Sequence, residues 1–178
     1  LVALAQIFSP RYERHGSQGV SIDVSGLGRL FGGARAIGDE IRRQADARDL
    51  RVQIALASTR TTAMLLAVGR ALTVGVERVV VAPATTVAAV LASLPLSVLD
   101  KIPREDADRP WPHPAFDDAA LATIKSWGIS TLGALAALPS AGVSARLGRH
   151  GLWWQAVARG EDLRPLVPTR PDEPFDAA

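Results

Sequence analysis

From Val20 to Gly33 the chain reads Val-Ser-Ile-Asp-Val-Ser-Gly-Leu-Gly-Arg-Leu-Phe-Gly-Gly, an apolar strand that carries one carboxylate, Asp23, and then breaks into a glycine-rich turn. A lone acid inside an apolar strand is costly unless it meets a cation, a metal or a full set of donors. Its neighbour is Val24, a hydrocarbon. The pattern therefore predicts a structural Asp23, accepting bonds from the Gly26–Gly28 turn or pairing with an arginine, in preference to one half of a metal-binding pair. The glycines supply the positive φ that a strand exit needs.

Around this segment residues 1 to 99 alternate helix and strand. Val2 to Phe8 reads as a helix end stopped at Ser9-Pro10. Val20–Val24, Val52–Ala57 and Arg78–Ala82 read as strands, with Ser97–Leu99 a candidate edge strand. Ile37, Ile41 and Ala45 recur every four residues between Ala34 and Arg48, opposite Asp39, Glu40, Arg42 and Arg43, which predicts an amphipathic surface helix. Thr61–Leu72 is a more apolar helix and Thr85–Ser93 a short one. The order suits an α+β sandwich with helices on one face of a sheet.

Residues 100 to 116 carry four prolines (Pro103, Pro110, Pro112, Pro114) and mark a connector. Residues 117 to 163 read as short helices: one capped by Asp117 or Asp118 and carrying Leu121, Ile124 and Trp127, one from Leu132 to Leu138, one with Val143 and Leu147 that stops at Gly148, and one from Leu152 to Ala158. Beyond Arg164 four more prolines predict an extended tail, residues 164 to 178.

Composition narrows the classes of function. The 178 residues are 48% hydrophobic and 21% charged, a globular balance with room for one ordinary domain or two small ones. No apolar run approaches the roughly 20 residues of a membrane span, which predicts no membrane partner. Cysteine is absent, which removes disulfides and thiol catalysis, and His15, His113 and His150 lack metal-ligand spacing. No metal or cofactor is expected. Nearly all cations are Arg, with Lys only at Lys101 and Lys125, and the net charge is +2. Such a balance permits nucleic-acid binding without arguing for it. The chain starts without Met and in the middle of a pattern, so it is expected to be part of something longer.

Three stretches in order resemble the Y-family (translesion) DNA polymerases, and more closely their ImuB-type relatives in bacterial mutasomes. Ser21-Ile22-Asp23-Val24 stands where active members have Ser-Ile-Asp-Glu, followed by the ImuB-like Leu30-Phe31-Gly32-Gly33. Ile54 to Ala63 occupies the place of the family's strand, Asn-Lys turn and helix, with Thr59-Arg60 for Asn-Lys. Trp127 to Pro139, followed by Arg146-Leu147-Gly148, is similar to the family's thumb. The resemblance implies a partial ferredoxin-like palm over residues 1–99 and a small all-α helix-hairpin-helix thumb over 117–163. The Gly-x-Gly hairpin of an active thumb has no counterpart near Pro112–Phe116.

Two-metal nucleotidyl transfer needs clustered carboxylates holding divalent ions roughly 4 Å apart. Val24 replaces the family's Glu and Asp23 is left vestigial, so the expectation is a catalytically degenerate homologue: not an enzyme, with no catalytic and no metal-binding residues. The resemblance implies an adapter in SOS-induced mutagenic repair, in the bacterial cytoplasm near the nucleoid. Its implied partners are a RecA-like accessory subunit, an error-prone C-family polymerase and the sliding clamp. Trp153-Trp154 and the helix from Gly33 to Arg48 are candidate docking features. Weak, non-specific DNA contacts are expected at Arg60, Lys125, Gly128, Thr131, Arg146, Gly148 and Arg149, with Arg60 read equally as a solvated surface residue.

Two alternatives stand beside this reading. One is an active translesion polymerase fragment. The other is an NADP-binding Rossmann-type domain, because Gly26-x-Gly28-x-x-x-Gly32 follows a strand and precedes a helix.

Overall fold

The computed structural model describes residues 1–72, 77–102, 118–162 and 166–169. Along them run α1 (Val2–Phe8), β1 (Tyr12–His15), β2 (Gly19–Ile22), α2 (Gly28–Phe31), α3 (Ala34–Asp46), β3 (Ile54–Ala57), α4 (Arg60–Ala71), β4 (Val79–Ala82), α5 (Val87–Ala92), a 3-10 turn (Leu96–Lys101), α6 (Asp118–Ser126), α7 (Leu132–Ala137) and α8 (Ser140–Ala158). Of the connector expected over 100–116, residues 100 and 101 end the 3-10 turn, while 103–116 lie outside the described residues together with the expected Asp117 cap.

The strands pair as two separate two-stranded sheets, β1–β2 and β3–β4. β3 and β4 are parallel, with Ile54 opposite Val79 and Ala57 opposite Ala82, and α4 forms the crossover. Side chains alternate across the two faces of a strand. Ile54, Leu56 and Val79 therefore join Ile37, Ile41 and Ala45 of α3 in one apolar cluster, while Ala55, Ala57, Val80 and Ala82 belong to a second cluster with Leu65 and Leu66 of α4. Helices thus cover both faces of this sheet, where the sequence suggested one. A parallel strand pair joined by a helix leaves neither face polar enough to meet water, and near-continuous apolar runs such as Val79-Val80-Val81-Ala82 reflect it.

The spacing of α3 works as expected. Ile37, Ile41 and Ala45 are buried. Its outer face is laced by Arg35–Asp39 at 3.0 Å and Arg43–Glu40 at 2.6 Å. Gly38 faces the sheet, where a Cβ would come 2.5 Å from Val79 Cγ1. That glycine lets the helix approach closely.

Two local readings change. Ser97–Leu99 is not an edge strand: it lies inside the 3-10 turn, where Val98 N–H donates to Pro95 O at 3.1 Å. β1 was not anticipated, because its residues Tyr-Glu-Arg-His lack an alternating apolar pattern. The expected helices around Val143 and over Leu152–Ala158 both form, and the non-helical Gly148, with φ 61° and ψ −152°, separates them within the span numbered α8.

Helices α6 to α8 share one core with α4 and α5. Ile124, Leu132, Leu135, Trp154 and Val157 pack in the same cluster as Leu65, Leu66, Leu91, Leu96 and Val98. The backbone stitches the two parts as well: Leu96 N–H donates to Ser130 O and Leu132 N–H to Leu94 O, both at 2.9 Å. After α8 the chain runs back over the first half. Asp162 accepts the backbone N–H groups of Arg60 (3.1 Å) and Thr61 (2.8 Å) at the start of α4. Thr169 N–H donates to Tyr12 O at 2.7 Å, beside β1. This part of the expected tail is docked, and the rest lies outside the described residues.

Candidate nucleic-acid interface

The strand β2 ends at Ile22, and Asp23 begins the turn beyond it. Arg11 sits opposite, its Nη1 3.2 Å from Asp23 Oδ2. Ser25 N–H donates to Asp23 Oδ1 at 3.0 Å. The hydrogen bonds from Ser25 hold the Asp23 carboxyl below its ordinary value, and the Arg11 charge adds to them. The arginine partner fits the structural reading, although the donor is Ser25 and not the Gly26–Gly28 turn. Val24 is half-buried against the cluster built on Leu4, Phe8 and Ile37. Among the described residues no group of three His, Cys, Asp or Glu side chains is placed to hold a metal ion.

The glycine pattern after β2 also loses its Rossmann context. β2 pairs antiparallel with β1, with Tyr12 opposite Ile22, and takes no part in the parallel pair. A dinucleotide cradle needs its glycine turn to follow a strand of a parallel sheet. In this chain the parallel unit turns into α4 through Ser58-Thr59, without glycine.

Arg60 is not a surface cation. Its side chain is 6% exposed and stands 3.5 Å from Glu13, itself 2% exposed. Glu13 Oε2 also accepts the Val167 N–H at 3.1 Å. The guanidinium expected to reach solvent or a phosphate is engaged inside the protein. Sequence reasoning missed this because its partner, Glu13, lies 47 positions earlier on an unanticipated strand.

The helical part presents the other expected contacts. Lys125 is exposed on the last turn of α6. Gly128 closes that helix with φ 78°, a left-handed value that glycine adopts freely, and its N–H donates to Lys125 O at 2.9 Å. Thr131 caps α7 by accepting the Ala134 N–H at 3.2 Å. Both residues thus serve the chain's own hydrogen bonds. Arg146, exposed on the first part of α8, lies over the Trp127 ring with its guanidinium carbon 5.2 Å from the centroid. Arg146 of α8 thus meets the residue that follows α6, Trp127. Arg149 is exposed just beyond the break at Gly148.

A further signal was available in the sequence. From Ala119 to Gly160 there is no Asp or Glu, against Lys125, Arg146, Arg149 and Arg159. Arg159 is occupied by Ala136 O, to which its Nη2 donates at 3.1 Å. Lys125, Arg146 and Arg149 have no carboxylate partner among the described residues. Cations held apart from acids on one module concentrate positive potential there.

Sequence comparison places these features in context. No family model matches the chain. It is 31% identical over 160 residues to the DNA polymerase IV of Dehalococcoides mccartyi strain CBDB1. It is 29% identical over 160 residues to the protein of the same name from strain ATCC BAA-2100. Each match covers 89% of this chain, and the chain spans 36% of the length of these curated relatives. The chain is thus similar to part of two proteins named DNA polymerase IV.

This similarity corrects the expectation that the chain is not an enzyme, since the relatives are named for a polymerase activity. Val24 is a single position in the turn after β2. It does not set the catalytic status of a protein whose relatives are nearly three times as long as this match. Among the described residues no helix is long and apolar enough to cross a membrane.

Proposed function

We propose that the chain is the palm-like and thumb-like portion of a Y-family-type translesion DNA polymerase homologue, and that its helical part holds DNA by the phosphate backbone. On this reading residues 1–99 carry the palm, 117–163 the helix-hairpin-helix thumb, and 100–116 the connector between them. The observation that carries it is the acid-free stretch from Ala119 to Gly160, which exposes Lys125, Arg146 and Arg149 on a chain similar to DNA polymerase IV. Phosphate contacts of this kind position a protein without reading sequence. Binding is therefore expected to be non-specific and strongly salt-dependent.

The test is a titration of duplex DNA at several salt concentrations. Log affinity should fall linearly with log salt, and Lys125→Gln, Arg146→Gln and Arg149→Gln should each reduce the slope by about 0.9. Affinity that is unchanged between low and moderate salt, or unchanged in all three variants, overturns the reading.

A second reading is an ImuB-type adapter role in SOS-induced translesion synthesis, exercised near the bacterial nucleoid. It is favoured by one observation: Leu30 is 77% exposed and Phe31 38%, beside a half-exposed Ile7 on the adjacent α1. Such apolar surface suits a protein partner. The partners this role implies are a RecA-like accessory subunit, a C-family polymerase and the sliding clamp. Co-purification of the cognate accessory subunit with this chain, lost on Leu30→Asp, supports the role; co-purification unaffected by Leu30→Asp, or none at all, removes it.

A further inference from the structure

Trp127 is placed oddly for a residue whose only task is to fill the core. It occupies the last turn before Gly128, half-buried, with its ring packed against the cluster that contains Ile124 and Leu135. A leucine there would fill similar space. What the indole adds is a π surface, and the Arg146 guanidinium lies over it at 5.2 Å from the centroid. Arg146 comes from a different helix, 19 positions along the chain, and is otherwise solvent-exposed.

An exposed arginine samples many rotamers, and ordering it against a phosphate costs entropy at the moment of binding. A guanidinium stacked on an aromatic face is ordered beforehand while its N–H groups stay available at the edge of the plane. Arg146 is therefore ordered before any phosphate arrives.

We propose that Trp127 is a positioning residue for DNA: it pre-orders Arg146 to engage the phosphate backbone. The proposal rests on the DNA-binding reading above. Trp127 touches no nucleic acid itself and is not a base-stacking platform, since the guanidinium occupies its face.

The experiment measures binding of this chain to a mixed-sequence DNA duplex across a salt series, for Trp127→Leu, Trp127→Phe, Arg146→Gln and the Trp127→Leu/Arg146→Gln pair. Trp127→Leu should weaken binding about two- to fivefold, the scale of an exposed cation–π contact. It should have no further effect in the Arg146→Gln background, and Trp127→Phe should retain most of the affinity. Equal loss from Trp127→Leu with and without Arg146, or no loss, overturns the proposal. If Arg146→Gln weakens binding and Trp127→Leu does not, only the positioning role falls; if none of the cation variants changes binding, the DNA-binding reading falls with it. The Arg146 Nε–H resonance supplies a second readout on the wild type and on Trp127→Phe, whether or not Trp127→Leu folds. A ring-current shift at that resonance supports the stacking, and its absence in the wild type refutes it.

Discussion

Glu13 and Arg60 meet 3.5 Å apart with their side chains 2% and 6% exposed, one on β1 and the other in the first turn of α4. Two opposite charges removed from water this completely depend on each other. Deleting either leaves the survivor buried without its opposite charge at 3.5 Å. Arg60→Met should therefore cost about 3–5 kcal/mol of stability, and Glu13→Gln/Arg60→Met together should cost less than Arg60→Met alone. Urea unfolding of the variants checks the ordering.

The start of α4 depends on a residue about a hundred positions away. Asp162 accepts two of the backbone N–H groups that a helix leaves unsatisfied at its N-terminus. Asp162→Ala should destabilise the chain by about 1 kcal/mol, as for the loss of a side-chain cap, and Asp162→Asn should recover much of it. Hydrogen exchange should show the Arg60 and Thr61 amides losing protection first. Unchanged protection at both amides in Asp162→Ala would remove the assignment.

Stability should rise with pH across the acid range. Arg43 and Gln44 pull the Glu40 carboxyl down to about 2 from 4.5. Ser25 and Arg11 lower Asp23, and Arg78 lowers Asp46. A carboxyl whose folded pKa is depressed contributes stability that is complete above its unfolded value and disappears as pH falls through the folded one. For Glu40 that window runs from about 4.5 down to about 2. Thermal melts of the wild type and Glu40→Gln should differ above pH 5 and converge toward pH 2.

Gly133 marks the crossing of α5 and α7. A Cβ there would sit 2.6 Å from Ala92 Cβ and 2.8 Å from Ala92 Cα. Backbone cannot yield as a side-chain tip can, so Gly133→Ala should cost about 1–3 kcal/mol through overpacking. Gly142→Ala, with open space around its Cβ, is the comparison. Equal melting temperatures for the two variants would refute the close crossing.

What could be read from the sequence follows from how far each signal reaches. Ile37, Ile41 and Ala45 announced α3 because a helical face is written in residues three and four apart. The break at Gly148 was readable because only glycine settles at φ 61° without strain. β1 was hidden because two of its buried residues, Glu13 and His15, are polar, and their burial depends on distant partners: Arg60 for Glu13, and Ser21 for His15 across the hairpin at 2.7 Å. The candidate site divides in the same way. Arg60 looked accessible because no local pattern reports an ion pair formed across 47 positions, whereas Lys125 is an exposed cation on the last turn of a short helix, as its type and place suggest. Val24 stands where a second carboxylate was sought, but the inference from one residue to a whole protein's inactivity reached past what a single position can report.

The hydrogen bond from Thr169 to Tyr12 gives the chain a clasp between segments far apart in sequence. Tension applied from beyond Thr169 falls first on this clasp and on Asp162 behind it, before it reaches the shared apolar interior. A tug from one side would thus undo a few hydrogen bonds and free the outer edge of β1 while Lys125 and Arg146 stay where they are.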